Sequence, residues 1–139
     1  MTERILENGE IAVATLRSPS ALDDLAAKYP KSQLLVLKCD VSILSDITRA
    51  FARMKEAFGR CDVVYNNAAF AILSEIEGTP EEMARQIFEV DFWGATNVSL
   101  EAIKFFRDVN PAGKGGKLLN VSSMAGTTAV PALGFYSAA

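Results

Sequence analysis

Asn120-Val121-Ser122-Ser123-Met124-Ala125-Gly126 sets two hydroxyls at the end of an apolar run, and a tyrosine, Tyr136, follows Ser123 thirteen positions later. Asn66-Asn67-Ala68-Ala69 closes a second apolar run, and Asp40-Val41 closes a third. Histidine is absent, which removes the commonest zinc ligand and the commonest general base, so acid–base work falls to Tyr, Lys, Asp or Glu and no metal centre is expected. Two cysteines, Cys39 and Cys61, make no disulfide framework. Taken singly, Asn and Asp at strand ends are ordinary turn formers. Their shared placement has more weight, because open α/β sheets bind ligands at the carboxyl ends of their strands.

Such residues need a frame to hold them. Short β-type apolar runs at Ile11–Leu16, Gln33–Lys38, Asp62–Tyr65 and Lys117–Val121 alternate with longer helix-period segments, the pattern of βαβ units and a parallel sheet covered on both faces. Between the first two runs, Ser20–Tyr29 predicts a short helix with Ser20 as N-cap and Pro30 as its end. In Ser45–Phe58 the apolar residues Ile47, Phe51, Met54 and Phe58 share one helical face, and Gly59 supplies the stop. Thr79-Pro80-Glu81-Glu82 predicts an N-cap, a proline at the first helical position and a capping-box glutamate, opening a long helix towards Asn110. Its aromatic residues Phe88, Phe92, Trp93 and Phe105 are expected to pack inside. Met1–Glu10 resembles the closing turns of a helix capped by Gly9, with no strand before it.

Composition narrows the partners. Half of the 139 residues are apolar, 22% are charged and the net charge is −3, which suits one globular domain and gives no basic footprint for nucleic acid or an anionic membrane. The polar start MTERILENGE is no signal-peptide core, and no run approaches the length of a spanning helix, so a cytoplasmic location is expected. Neither G-x-G-x-x-G nor G-x-x-x-x-G-K-[ST] occurs. The glycines of Gly113-Lys114-Gly115-Gly116-Lys117 lead into a strand, whereas a phosphate loop leaves one, so this segment reads as a turn.

The four strand-end signals occur in one fixed order, and in that order the chain resembles the classical short-chain dehydrogenases/reductases over essentially all 139 residues. Asp40-Val41 matches the family's adenine-contacting position, Asn66-Asn67-Ala68-Ala69 is similar to its Asn-Asn-Ala-Gly, and Ser123 and Tyr136 fall at its catalytic serine and tyrosine. Four departures accompany the resemblance. The family's first strand and Gly-rich turn would precede Met1; its lysine would fall at position 140; Ala69 replaces a glycine; and Asp91 stands where the family has an asparagine supporting a proton-relay water.

The resemblance implies a partial Rossmann-like doubly wound α/β sheet lacking the first strand and the C-terminal strands and helices. It implies hydride transfer between nicotinamide and a carbonyl or secondary alcohol, with catalytic roles at Ser123, Tyr136 and Asp91 and cofactor contacts at Asp40, Val41, Asn67, Ala68 and Ala69. Tyr136 would donate the proton, Ser123 would hydrogen-bond the same oxygen, and the lysine's ammonium would lower the pKa of a phenol that is ordinarily about 10. Arg17, following a second strand that contains no acid, favours NADP over NAD through the 2′-phosphate. The expected partner is a small carbonyl or alcohol, in a full-length form compatible with homo-oligomerisation. The chain itself is expected to be a fragment, inactive alone. A non-catalytic remnant acting as a binding module is the alternative, and a flavodoxin-like or receiver-like domain would explain the alternation without explaining the Ser123–Tyr136 spacing.

Overall fold

The computed structural model describes residues 1–139 as an α/β fold with parallel strands. Helix α1 (Thr2–Glu7) leads to strand β1 (Ala12–Leu16), a 3₁₀ turn (Pro19–Leu22) and helix α2 (Asp23–Ala26), then to strand β2 (Leu34–Lys38). Helix α3 (Leu44–Phe58) and strand β3 (Val63–Asn66) follow. Helix α4 (Glu81–Ile87) continues through a π-helical turn (Phe88–Gly94) into helix α5 (Ala95–Asp108), and strand β4 (Lys117–Asn120) precedes a 3₁₀ turn (Met124–Gly126) and helix α6 (Gly134–Ala138). All four predicted strands are present. No helix is long and apolar enough to cross a membrane.

Strands β1 and β2 pair in parallel, Ala12 opposite Leu34 through Leu16 opposite Lys38, and β3 and β4 pair in parallel, Val63 opposite Lys117 through Asn66 opposite Asn120. The two pairs do not hydrogen-bond to each other and form separate two-stranded sheets. Side chains nevertheless bridge them. Val13 of β1 and Val64 of β3 both pack on the buried cluster Met54, Cys61 and Phe105, contributed by α3, the segment just before β3 and α5.

Two local devices hold this frame. Gly59, at φ 67°, ends α3 in the left-handed region that glycine enters without steric penalty. Asn110, just past α5, is buried; its Oδ1 accepts from the Cys61 N–H at 2.9 Å, and its Nδ2 donates to the carbonyls of Cys61 and Gly115, each at 2.6 Å. One side-chain amide thus fastens the end of α5 to the strand before and the turn after it.

Several expected caps form differently. Pro19 pre-sets a 3₁₀ turn that places Ser20 within it, so Ser20 caps no helix and the α-helical part is Asp23–Ala26 alone. The Thr79 hydroxyl donates backward to the Glu75 carbonyl at 2.8 Å, leaving Pro80 as the N-cap without a side-chain bond. Phe105 is buried as expected, whereas Phe92 and Trp93 are 44% and 51% exposed and stack edge to face on the surface.

Ladder geometry leaves two free edges. Ala12 N–H and Leu16 C=O bond towards β2, while Asp62 C=O and Asn66 C=O bond towards β4, so the alternate residues Val13 and Thr15 on β1, and Val63 and Tyr65 on β3, direct their backbone groups to the opposite edges. Only 18 of the 139 residues are buried, too thin a core to mask such edges. The 139-residue chain should therefore self-associate as its concentration rises. Light scattering across a dilution series checks this, and a monodisperse monomer at every concentration would contradict it.

Candidate functional site

The carboxyl ends of both sheets meet at one helical turn. Gly94, buried at the end of the π-helical turn, lies so close to Val41, after β2, that a Cβ there would sit 2.8 Å from Val41 Cγ2 and 3.1 Å from its carbonyl oxygen. One residue later, the Ala95 carbonyl accepts from Asn66 Nδ2 at 3.0 Å at the end of β3. Asn66 is buried, and the same nitrogen donates at 3.0 Å to Oδ1 of Asn120, its partner in register at the end of β4. Ser99 Oγ also donates to the Ala95 carbonyl, at 2.7 Å. Sequence spacing alone does not mark Gly94, Asn66 or Asn120 as this junction; the adjacency of Asn66 and Asn120 to the two strand ends is the signal that could have done so.

Ser123 follows β4 directly. It is half-buried in extended conformation and caps the 3₁₀ turn Met124–Gly126, its Oγ accepting from the Ala125 N–H at 3.2 Å. With that acceptor role filled, its O–H remains available to donate outward. Tyr136 is half-buried on α6, which packs on the Met124–Gly126 turn, on α4 and on the π-helical turn. Two contacts seat the approach to α6. The Ser74 N–H donates to the Ala132 carbonyl at 2.8 Å, and Gly134 stands so close to Ile76 that a Cβ would lie 2.6 Å from Cδ1.

Asp91 lies within the π-helical turn, where an expected uninterrupted α-helix gains one wide turn of the kind frequent at functional sites. Its Oδ1 accepts from the Phe70 N–H at 3.1 Å, whereas Oδ2 is buried without a partner. Burial pushes the Asp91 carboxyl up from its ordinary value, and the Phe70 N–H opposes that rise. Asp91, Phe92, Ser99 and Asn120 are among the residues around an open cavity of about 370 Å³.

The remaining predicted residues occupy the same ends of the sheets. Arg17 is exposed after β1 and makes no ion pair; Lys38, exposed at the end of β2, is opposite Leu16 in register, so two cations stand at adjacent strand ends. Asp40 Oδ1 accepts from both the N–H and the hydroxyl of Ser42, at 3.0 and 2.7 Å, which fixes the turn leading to Val41. The Asp40 N–H donates to the buried Asp46, and this bond, with Arg49 beside it, holds the Asp46 carboxyl below the usual carboxylate range. Asn67, Ala68 and Ala69 are exposed beyond β3. Burial pushes the Cys61 thiol up to about 11 and raises that of Cys39, so both are inert packing groups.

The residues present fit parts of a nicotinamide dinucleotide. Unpaired cations suit a phosphate on the adenosine side, the exposed Asn67–Ala69 backbone can be approached closely, and the donors Ser123 and Tyr136 suit a reacting oxygen. The pyrophosphate has no Gly-rich cradle among these residues.

The family model described as short chain dehydrogenase matches residues 1–139. An uncharacterized oxidoreductase of Schizosaccharomyces pombe is 37% identical over 134 residues, covering 96% of this chain and 43% of that protein. An oxidoreductase of Penicillium decumbens is 35% identical over 133 residues, with coverages of 94% and 43%. Among solved structures, a short-chain dehydrogenase from Streptomyces avermitilis superposes with a TM-score of 0.88 at 28% identity, over 99% of this chain and 48% of that one. The 3-ketoacyl-(acyl-carrier-protein) reductase of Brucella melitensis, in complex with NADH, shares the fold with a TM-score of 0.89 at 23% identity, over 99% and 57%. The chain spans less than half the length of these two curated relatives.

Proposed function

The chain belongs to the short-chain dehydrogenase family, and on that premise we propose that it is the central part of an NADP(H)-dependent carbonyl reductase or alcohol dehydrogenase, an incomplete dinucleotide-binding domain that is active in a longer polypeptide. The observation that carries this reading is the packing of the Tyr136 helix on the turn capped by Ser123, at the carboxyl ends of the strands. On this reading the free edges of β1 and β3 would admit a further strand between them.

When bound, the dinucleotide supplies the hydride that adds to the carbonyl carbon. Tyr136 then gives its phenolic proton to the carbonyl oxygen as negative charge develops there, and the Ser123 hydroxyl donates a hydrogen bond to the same oxygen. In the oxidative direction Tyr136 takes the alcohol proton back. Arg17 and Lys38, at the ends of β1 and β2, would hold a 2′-phosphate, and the exposed backbone of Asn67–Ala69 would offer contacts to the dinucleotide. Asn66 does not touch substrate. It keeps β3, β4 and α5 in register, so that Ser123 holds its place.

Cofactor choice provides a test. In the full-length protein, Arg17→Ala should weaken NADPH binding at least tenfold while leaving NADH within about twofold, a charge-assisted phosphate contact being worth roughly 1.5–3 kcal/mol. Titrating both cofactors by their fluorescence measures the two changes. Equal losses for both would remove NADP preference from Arg17 and leave the hydride-transfer assignment standing.

A further inference from the structure

The chain enters α6 through a joint that is rigid on both sides. Before it, the ring of Pro131 fixes φ and holds Val130 extended. After it, the Ser137 N–H donates to the Leu133 carbonyl at 2.8 Å and closes the first turn of α6. Ala132 lies between the two. The Leu133 N–H reaches back to the Val130 carbonyl at 3.3 Å, across a turn whose second residue is proline and whose third, Ala132, stands at φ 60°. It is the only non-glycine residue of the chain with positive φ. A turn of this form ordinarily takes glycine at its third position, because any Cβ there crowds the following carbonyl oxygen.

Backbone strain of this kind persists only where the surroundings enforce it. Here the enforcing contacts come from one segment between β3 and α4. The Ser74 N–H donates to the Ala132 carbonyl at 2.8 Å, and two residues further along both segments Gly134 lies against Ile76 with no room for a Cβ. That segment is itself braced, since the Gly78 N–H and the Thr79 hydroxyl both donate to the Glu75 carbonyl, at 3.1 and 2.8 Å, directly before α4. Return of Ala132 to negative φ would rotate its own carbonyl away from Ser74 and swing α6 about the Ala132 N–Cα bond.

We propose that Ala132 is a positioning residue for the proton donor: held left-handed by its bond to Ser74, it aims the helix that carries Tyr136 onto the turn that Ser123 caps. The catalytic consequence rests on the dehydrogenase reading; the strained turn and its bond to Ser74 do not. Tyr136 lies four residues past Ala132, about one helical turn, so a rotation at Ala132 is carried to the phenol. A reacting group misplaced by about 1 Å loses on the order of 10²-fold in rate. Ala132 has no group that could transfer a proton, so its effect on the reaction passes through Tyr136.

Three substitutions separate backbone preference from size and polarity, because glycine and asparagine enter the left-handed region readily and valine does not. In the full-length protein, Ala132→Gly and Ala132→Asn should keep kcat for carbonyl reduction within about threefold of the parent, whereas Ala132→Val should lower it at least about tenfold with NADPH affinity within about twofold. The decisive arm repeats Ala132→Val in Tyr136→Phe. With no phenol left to aim, the residual rate should stay within about twofold of Tyr136→Phe alone, whereas a general loss of structure would lower both backgrounds by the same factor. Hydrogen exchange at the Ser74 amide reads the tie without reference to activity: protection should persist in Ala132→Gly and Ala132→Asn and fall at least about tenfold in Ala132→Val. A valine variant with parental kcat or unchanged Ser74 protection, or equal factors in the two backgrounds, would overturn the proposal. Should the valine variant not fold, Ala132→Asn decides alone, retention of kcat supporting the proposal and a loss of about tenfold or more overturning it. A Tyr136→Phe protein at the parental rate would overturn the hydride-transfer reading, and this role for Ala132 with it, whereas failure of the Ala132 series alone leaves that reading standing.

Discussion

Tyr136→Phe in the full-length protein should lower kcat for carbonyl reduction by about 10²- to 10⁴-fold with little change in cofactor affinity, because it removes only the hydroxyl proposed to donate the proton. A phenyl ring fills nearly the same space, so packing of α6 on the Met124–Gly126 turn should persist. Ser123→Ala removes one donor to the developing oxyanion, worth roughly 3 kcal/mol or about 10²-fold in rate. It also removes the cap that accepts from the Ala125 N–H, so circular dichroism must accompany its kinetics. The pair should be strongly non-additive, since both groups act on one oxygen. Steady-state rates of the two single variants and the double variant check this. A Tyr136→Phe enzyme with near-parental kcat would assign the proton to another group.

Asn110→Ala should be the most damaging substitution away from the reacting groups, at about 3 kcal/mol of folding stability. It deletes three hydrogen bonds and leaves the N–H and C=O of buried Cys61 without their partner. A net hydrogen bond is worth about 1 kcal/mol, and each buried group left unpaired costs about 1–3 kcal/mol. Urea unfolding followed by Trp93 emission at submicromolar concentration measures the loss as a shift in midpoint at constant slope. A loss below about 1 kcal/mol would mean that water enters and replaces the amide.

The sequence and the structure agree where apolar periodicity decides the element. β1 to β4 fall within a residue or two of the runs that predict them, and α3 begins one residue early and stops at Gly59. Ile47 and Met54 face the core as their spacing implies, and Ala50 joins them because a small residue lets the helix approach Cys39 at the end of β2. Agreement fails where a side chain has two uses. Thr79 spends its hydroxyl on Glu75 instead of a cap, and Pro19 draws Ser20 into a 3₁₀ turn. The π-helical turn is invisible to periodicity, since one wide turn shifts the apolar face without breaking it; Gly94 at its end lies against Val41, a contact that no local pattern encodes. Phe92 and Trp93, within that turn, read as packing residues by type and stand exposed.

The site was legible to the extent that residue order carried it. The helix α6 that carries Tyr136 contacts the turn that Ser123 caps, a relation between elements that a spacing of thirteen residues suggests without specifying. Asn66, Asn120 and Asn110 act through backbone groups distant in sequence, up to 54 residues away for the Asn66–Asn120 bond, and such partners become visible only once the strands are aligned. The orphaned oxygen of Asp91 belongs to the same class, because whether an aspartate is paired depends on every element packed around it.

The central claim is that these residues serve hydride transfer to a carbonyl, and isotope transfer tests it most directly. Full-length protein supplied with NADPH deuterated at nicotinamide C4, on the face that transfers, and with a panel of aldehydes and ketones should yield alcohol carrying one deuterium on the former carbonyl carbon, detected by mass spectrometry, and Tyr136→Phe should suppress that product by about 10²-fold or more. Full-length protein that binds NADPH yet transfers no label to any carbonyl, or that transfers it equally well without the Tyr136 hydroxyl, would contradict the account.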